Sequence, residues 1–100
     1  MSDHPQISVI IAAYKAEDHI AAALKAARQQ RNVELEIIIV DDHSPTDLQP
    51  VIKDLAAGDK RVTCVRLEQN GGPAAARNHA IGLATGDFVA ILDADDGMAD

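Results

Sequence analysis

Short apolar runs alternate with helical stripes along this chain from Ile7 to Leu92. Ile7 to Ala12, Glu36 to Val40, Val62 to Leu67 and Asp87 to Leu92 are brief runs rich in apolar residues between polar ones, and each predicts a strand. Between them, Ile20, Ala23, Leu24 and Ala27 recur at i, i+3, i+4 and i+7, which predicts a helix over Glu17 to Arg31. Glu17 and Asp18 suit its positive end, and Arg28 and Arg31 its negative end. A second helix starts from a Thr46 or Asp47 cap, tolerates Pro50 in its first turn, buries Leu48, Val51, Ile52 and Leu55, and stops at Gly58. A third runs from Pro73 to about Thr85, where Gly86 ends it, and Gly82 within it allows close contact with a sheet.

Strands that read as near-continuous apolar runs are strands covered on both faces, as in parallel sheets. Four of them separated by three helices give βαβαβαβ, and right-handed crossovers turn that order into an open, doubly wound α/β sheet. Ligands of such sheets bind beyond the carboxyl ends of the strands, where the strand order reverses. The loops at that edge are Ala13 to Ala16, Asp41 to Thr46, Glu68 to Gly72 and Asp93 to Gly97. They carry two acidic clusters, Tyr14 and the one Gly-Gly pair, whereas the opposite edge carries plain linkers such as Gln29 to Asn32 and Gly58 to Arg61. That asymmetry predicts one site at one edge.

The 100 residues amount to one small domain or part of a larger one. Asp100 follows the second acidic cluster closely, so the chain is expected to be the front part of a longer protein. A net charge of −7 with no basic run excludes a nucleic-acid backbone as partner, though not a phosphorylated small molecule met through a metal. The single Cys64 excludes an intrachain disulfide, fits a reducing compartment and reads as a small buried hydrophobe. No signal peptide is visible at the start, and no apolar run approaches the ~20 residues of a membrane span, so a soluble chain is expected.

The acidic clusters carry the candidate chemistry. Asp93-Ala94-Asp95 is a D-x-D after an apolar strand, and alternate carboxylates in such a turn can converge on one Mg²⁺ or Mn²⁺ while leaving positions for phosphate oxygens. Asp96 is a third ligand, a residue behind the ligands or a helix cap; a plain acidic turn in solvent is the alternative for the whole run. Asp42 can accept a hydrogen bond from a nucleobase N–H, while one of Asp41 and Asp42 caps the Ser44-Pro45 turn. Tyr14 either stacks on a base or packs half-buried, and Glu17 either reaches the ligand or complements the helix dipole. Asn70-Gly71-Gly72-Pro73 either leads into a helix start that favours anions or is a plain turn before a helix, and Arg77, one turn in, can pair with a diphosphate or a site carboxylate. The four histidines lack metal-ligand spacing and read as surface or packing residues.

Four ordered blocks, Ile7 to Tyr14, Ile38 to Ser44, Asn70 to Asn78 and Gly86 to Asp96, resemble those of family 2 glycosyltransferases, inverting enzymes of the GT-A fold. The resemblance spans about residues 6 to 97. It implies a GT-A-like, Rossmann-like, mainly parallel sheet with helices on both faces, truncated at its C-terminus. It also implies a nucleoside-diphosphate-sugar donor, a UDP-sugar first, and a divalent metal. Ala12 and Tyr14 then border the nucleobase and Asp42 recognises it. Asp93 and Asp95 form the metal–diphosphate motif, Asp95 being the direct ligand. The family's catalytic base and acceptor-binding half lie beyond Asp100, so the isolated chain is expected to be inactive. The acceptor is a saccharide or a lipid-linked one, and polysaccharide or glycolipid assembly implies a cytoplasmic place next to the membrane. The family usually has Pro at Ala12, Asn at Lys15 and a Gly-Ser turn at His43-Ser44, departures that spare the carboxylates.

Two rivals stand beside this reading. Asp93 to Gly97 also resembles the aspartate loop of phosphatases, although there the loop follows the first strand and not the fourth. The other rival is a chain that binds nucleotide and metal without catalysis. A dinucleotide oxidoreductase is disfavoured, because no G-x-G-x-x-G follows the first strand.

Overall fold

A computed structural model describes residues 7–13, 19–29, 34–45, 47–69 and 71–93. In chain order these form β1 (Ile7–Ala13), α1 (Ile20–Arg28), β2 (Leu35–Asp41), α2 (Gln49–Ala56), β3 (Val62–Arg66), α3 (Pro73–Leu83) and β4 (Phe88–Asp93). The strands make one sheet in the order β3-β2-β1-β4, and every neighbouring pair is parallel. The chain therefore steps outward from β1 through β2 to β3, then crosses back to place β4 on the other side of β1. The order reverses at β1, so the crevice expected of open α/β sheets falls at its carboxyl end.

Alternation along each strand divides the core in two. Val9, Ile11 and Ala13 of β1 and Leu35, Ile37 and Ile39 of β2 pack with Ile20, Ala23, Leu24 and Ala27 of α1 and with Leu48 and Ile52 at α2. On the other face Ile10, Ile38 and Val40 meet Ala76 and Ala80 of α3. These two alanines sit one helical turn apart, and their small side chains let α3 lie close over the branched side chains of β1 and β2. Arg28 joins the two helices of the first face by donating to the carbonyls of Leu55 (3.1 Å) and Ala56 (2.6 Å), which α2 itself cannot satisfy at its C-terminus.

Several sequence expectations change. α1 ends at Arg28, short of Arg31, and Gln29 is already a turn. In α2, Leu48 and Ile52 are buried as expected but Val51 is 39% exposed, because the helix rolls onto Ile52 and Ala56. The Leu48 N–H of that helix is taken by Asp41, and Asp47 accepts from Gln49. α3 ends at Leu83 with Ala84 extended, so Gly86 is not its stop, and Gly82 faces open space with no contact to the sheet. Coverage on both faces holds for β1 and β2 but not for β4, where Phe88 is 71% and Ile91 47% exposed. Cys64 is half-buried, and burial, helped by the charges of Asp41 and Asp47, pushes its thiol up to about 11.

Candidate functional site

The carboxyl ends of β1, β2 and β4 converge at one mouth. Ala12 of β1 pairs with Val40 on one side and with Asp93 on the other, and Ala13 pairs with Asp41. The Asp42 N–H donates to the Ala13 carbonyl at 2.8 Å, which carries the pairing of β1 and β2 one residue further. Asp42 and Asp93 are thus delivered to the same edge by the two strands flanking β1, two strand spacings across and two residues apart along the strands, about 12 Å in all. Of the remaining candidates, Arg77 is half-buried in the second turn of α3. Tyr14, Glu17, Asp95 and Asp96 lie outside the described residues, as does the side chain of Asp93. Among the described residues, no group of three or more His, Cys, Asp or Glu is arranged to hold a metal.

Asp41 and Asp42 are neighbours with different tasks, because successive side chains leave a strand on opposite faces. Asp41 is completely buried on the α2 side. Its Oδ1 accepts from the Ser44 N–H at 2.9 Å, and its Oδ2 accepts from Leu48 N–H at 3.2 Å and Arg66 Nη1 at 2.9 Å. Arg66 also donates to the Ser44 carbonyl at 3.0 Å. Asp41 is therefore the residue that caps the Ser44-Pro45 turn. Its charge is compensated by a guanidinium that stays 22% exposed, so desolvation is shared with solvent.

Asp42, buried on the α3 side, holds the Gly-Gly turn. Its Oδ1 accepts from the Gly71 N–H at 2.9 Å and its Oδ2 from the Gly72 N–H at 2.8 Å. Gly72 has φ +91° and ψ 166°, a conformation closed to side chains, and a Cβ on Gly71 would stand 2.9 Å from that of Ala75. Ahead of the helix start expected to favour anions, these two N–H groups already hold a carboxylate of the protein itself. The clamp was not legible as a pair, since 29 positions separate Asp42 from Gly71; the glycines and the acid were visible only as separate signals.

His43 explains one departure from the family pattern. It sits at φ +57°, the left-handed region that glycine adopts without penalty. A histidine there costs on the order of 1 kcal/mol. The ring offsets part of this by donating from Nδ1 to the Leu67 carbonyl at 3.0 Å, which ties the β2 loop to the end of β3. One concavity lies away from this edge, bounded by Ala21, Leu24, Lys25, Arg28, Gln29 and Leu55 on the helix face, and holds none of the candidate residues.

Fold, topology and strand-end acids together define a GT-A type α/β domain. The family model for glycosyl transferase family 2 matches residues 8–100, and the chain belongs to that family. It is 40% identical over 92 residues to the succinoglycan biosynthesis protein ExoO of Rhizobium meliloti, covering 92% of this chain and 26% of the relative. Among solved structures, Staphylococcus aureus TarS 1-349 in complex with UDP-GlcNAc superposes with a TM-score of 0.78 at 34% identity, covering 90% of this chain and 26% of that one. The mannosyltransferase PcManGT of Pyrobaculum calidifontis, in complex with GDP-Man and Mn²⁺, gives a TM-score of 0.79 at 31% identity, covering 94% and 28%. The chain thus spans about a quarter of the length of these relatives. No helix among the described residues is long and apolar enough to cross a membrane.

Proposed function

We propose that this chain is the donor-binding part of an inverting glycosyltransferase, one that moves a sugar from a nucleoside diphosphate to an acceptor hydroxyl in polysaccharide or glycolipid synthesis. The observation that carries the reading is the delivery of Asp42 and Asp93 to one mouth by strands on either side of β1. A base held at Asp42 and a diphosphate held near Asp93 would lie across the end of β1, over Ala12. Relatives with UDP-GlcNAc or GDP-Man in their structures support a nucleotide-sugar, and a UDP-sugar is the first candidate.

Asp42 suits base recognition because its backbone clamp fixes the carboxylate in place before any ligand arrives. Tyr14 would stack on the base and Glu17 would lie near the donor, while Arg77 would offer charge-assisted hydrogen bonds to phosphate. Asp93 and Asp95, with Asp96 beside them, are the residues that would hold a Mn²⁺ or Mg²⁺. Their hard oxygen donors fit such an ion, and a chain of net charge −7 needs a cation before it meets a diphosphate. The bound ion would supply stabilisation of charge on the departing diphosphate. Deprotonation of the acceptor falls to a base beyond Asp100, so residues 1–100 alone are proposed to bind the donor without turning it over.

The test is a calorimetric titration of UDP, GDP and dTDP with and without Mn²⁺, repeated on Asp95→Ala and Asp42→Asn. Metal-dependent binding that Asp95→Ala abolishes and Asp42→Asn weakens at least tenfold is the expected result. Equal, metal-independent binding by all proteins would refute the assignment. Covalent labelling of Asp93 by a phosphate-trapping reagent would instead favour the phosphatase reading.

A further inference from the structure

β4 delivers Asp93, yet its sequence says little about where along β1 it should pair. All five residues from Phe88 to Leu92 are apolar, and four of them (Phe88, Val89, Ala90 and Ile91) are exposed. Sliding the strand by one residue would exchange its two faces, which normally forbids the slip because polar groups would enter the core. Here both faces are apolar, and only Leu92 packs against the buried cluster of the α1 face. Burial alone therefore discriminates weakly between registers.

A polar cluster at the opposite end of the strands does discriminate. Gly86, two residues before β4, donates its N–H to Ser8 Oγ at 2.8 Å. The Ser8 hydroxyl, completely buried, donates in turn to Glu36 Oε2. The same carboxylate oxygen accepts from the Thr85 N–H and from Thr85 Oγ1 at 3.1 Å. Burial by itself would raise the Glu36 carboxyl, but the bonds from Ser8, Thr85 and Gly86 hold it below its ordinary value, so it is an acceptor at neutral pH. Gly86 also fits a slot: a Cβ there would stand 2.7 Å from Ser8 Oγ, 2.8 Å from Ser8 N and 3.0 Å from the Ile7 carbonyl carbon. Neither Thr85 nor Asp87 can enter that slot, so a one-residue slip brings a side chain into backbone and strands a buried hydroxyl.

We infer that Ser8, Glu36, Thr85 and Gly86 form a register lock for β4 and are positioning residues for Asp93 at its far end. Seven positions separate Gly86 from Asp93, at most about 23 Å of chain. A slip of one residue moves Asp93 about 3.3 Å along β1 and exchanges the two faces of β4. The inference rests on the donor-site reading for the role of Asp93, but the register it describes does not.

The test reads both. In methyl-labelled protein, Ile10 and Ile91 stand opposite each other and give a cross-strand NOE; a slip replaces it with one from Ile10 to Leu92 or to Ala90, according to its direction. Gly86→Ala should weaken or replace the Ile10–Ile91 NOE while helical circular dichroism persists, and should reduce Mn²⁺ affinity at least tenfold. Ser8→Ala, which removes a partner without adding bulk, is the second variant if Gly86→Ala does not fold, with the same shifts in smaller degree. Leu55→Ala, remote from the lock and similarly destabilising, should leave both NOE and affinity unchanged. An intact Ile10–Ile91 NOE in both lock variants overturns the inference, as does an equal affinity loss in Leu55→Ala. Wild-type protein that fails to bind Mn²⁺ sinks the donor-site reading instead, and leaves the NOE arm to judge the lock.

Discussion

Asp41→Asn separates the two adjacent aspartates by experiment. The substitution keeps the shape and removes the charge of a side chain with no exposure at all. Asp41 presents acceptors to three donors, at 2.9 Å from Ser44, 3.2 Å from Leu48 and 2.9 Å from Arg66. An asparagine has one oxygen, so in either orientation an NH₂ group faces a donor. The less costly orientation turns the NH₂ toward Ser44 and keeps the oxygen for Leu48 and Arg66. Leaving one buried N–H unpaired costs about 1–3 kcal/mol, and the bonds that remain lose their charge assistance, roughly another 1 kcal/mol. Water reaching the guanidinium returns part of this, so the expected loss is about 2–4 kcal/mol of a total near 5–15. Urea denaturation reads it as a lower midpoint at unchanged slope. Nucleotide affinity per folded molecule should stay within about twofold, since this carboxylate faces α2 and not the mouth. A stability loss under about 1 kcal/mol would refute the accounting, and a tenfold affinity loss in the folded variant would transfer base recognition to Asp41.

Three further outcomes follow from the same structure. The Asp59 carboxyl is held down to about 2, chiefly by the Arg61 side chain against the opposing effect of burial, with Arg28 assisting at 3.3 Å. A depressed carboxyl stabilises the fold above its unfolded value, near 4, and that contribution disappears as pH falls toward 2. Asp59→Asn should flatten the loss of stability over that window, as measured by urea midpoints at stepped pH. Cys64, with its thiol at about 11, should react with iodoacetamide at pH 8 roughly tenfold or more slowly than a free cysteine, and unfolding in urea should abolish the difference. In α2, Ile52→Ala should cost about 2–4 kcal/mol while the neighbouring Val51→Thr stays within about 0.5, because only Ile52 is enclosed.

Much of the architecture was legible from local pattern. Hydrophobic period alone located the four strands and three helices found among the described residues, and their strict alternation dictated a parallel, doubly wound sheet, since a right-handed crossover leaves few other topologies. Strand ends moved by a residue or so: β2 gained Leu35 and Asp41, whose backbone groups pair although one side chain is charged. Helix ends moved more, at Arg28 and Leu83, because the termination of a helix depends on which neighbour accepts its last carbonyls.

The acidic edge was visible as composition at strand ends, and the sequence by itself determined that carboxylates gather where an open sheet binds its ligand. What each one does was decided by tertiary structure. Asp41 and Asp42 are alike to any local rule, but the alternating faces of β2 give one to Arg66 and α2 and the other to Gly71 and Gly72. Gly86 looked like a helix stop and is instead a slot against Ser8, 78 positions away. Periodicity is a property of neighbouring residues and survives in one dimension. Hydrogen-bond partners 25 to 78 residues apart exist only once the sheet has closed the distance between them.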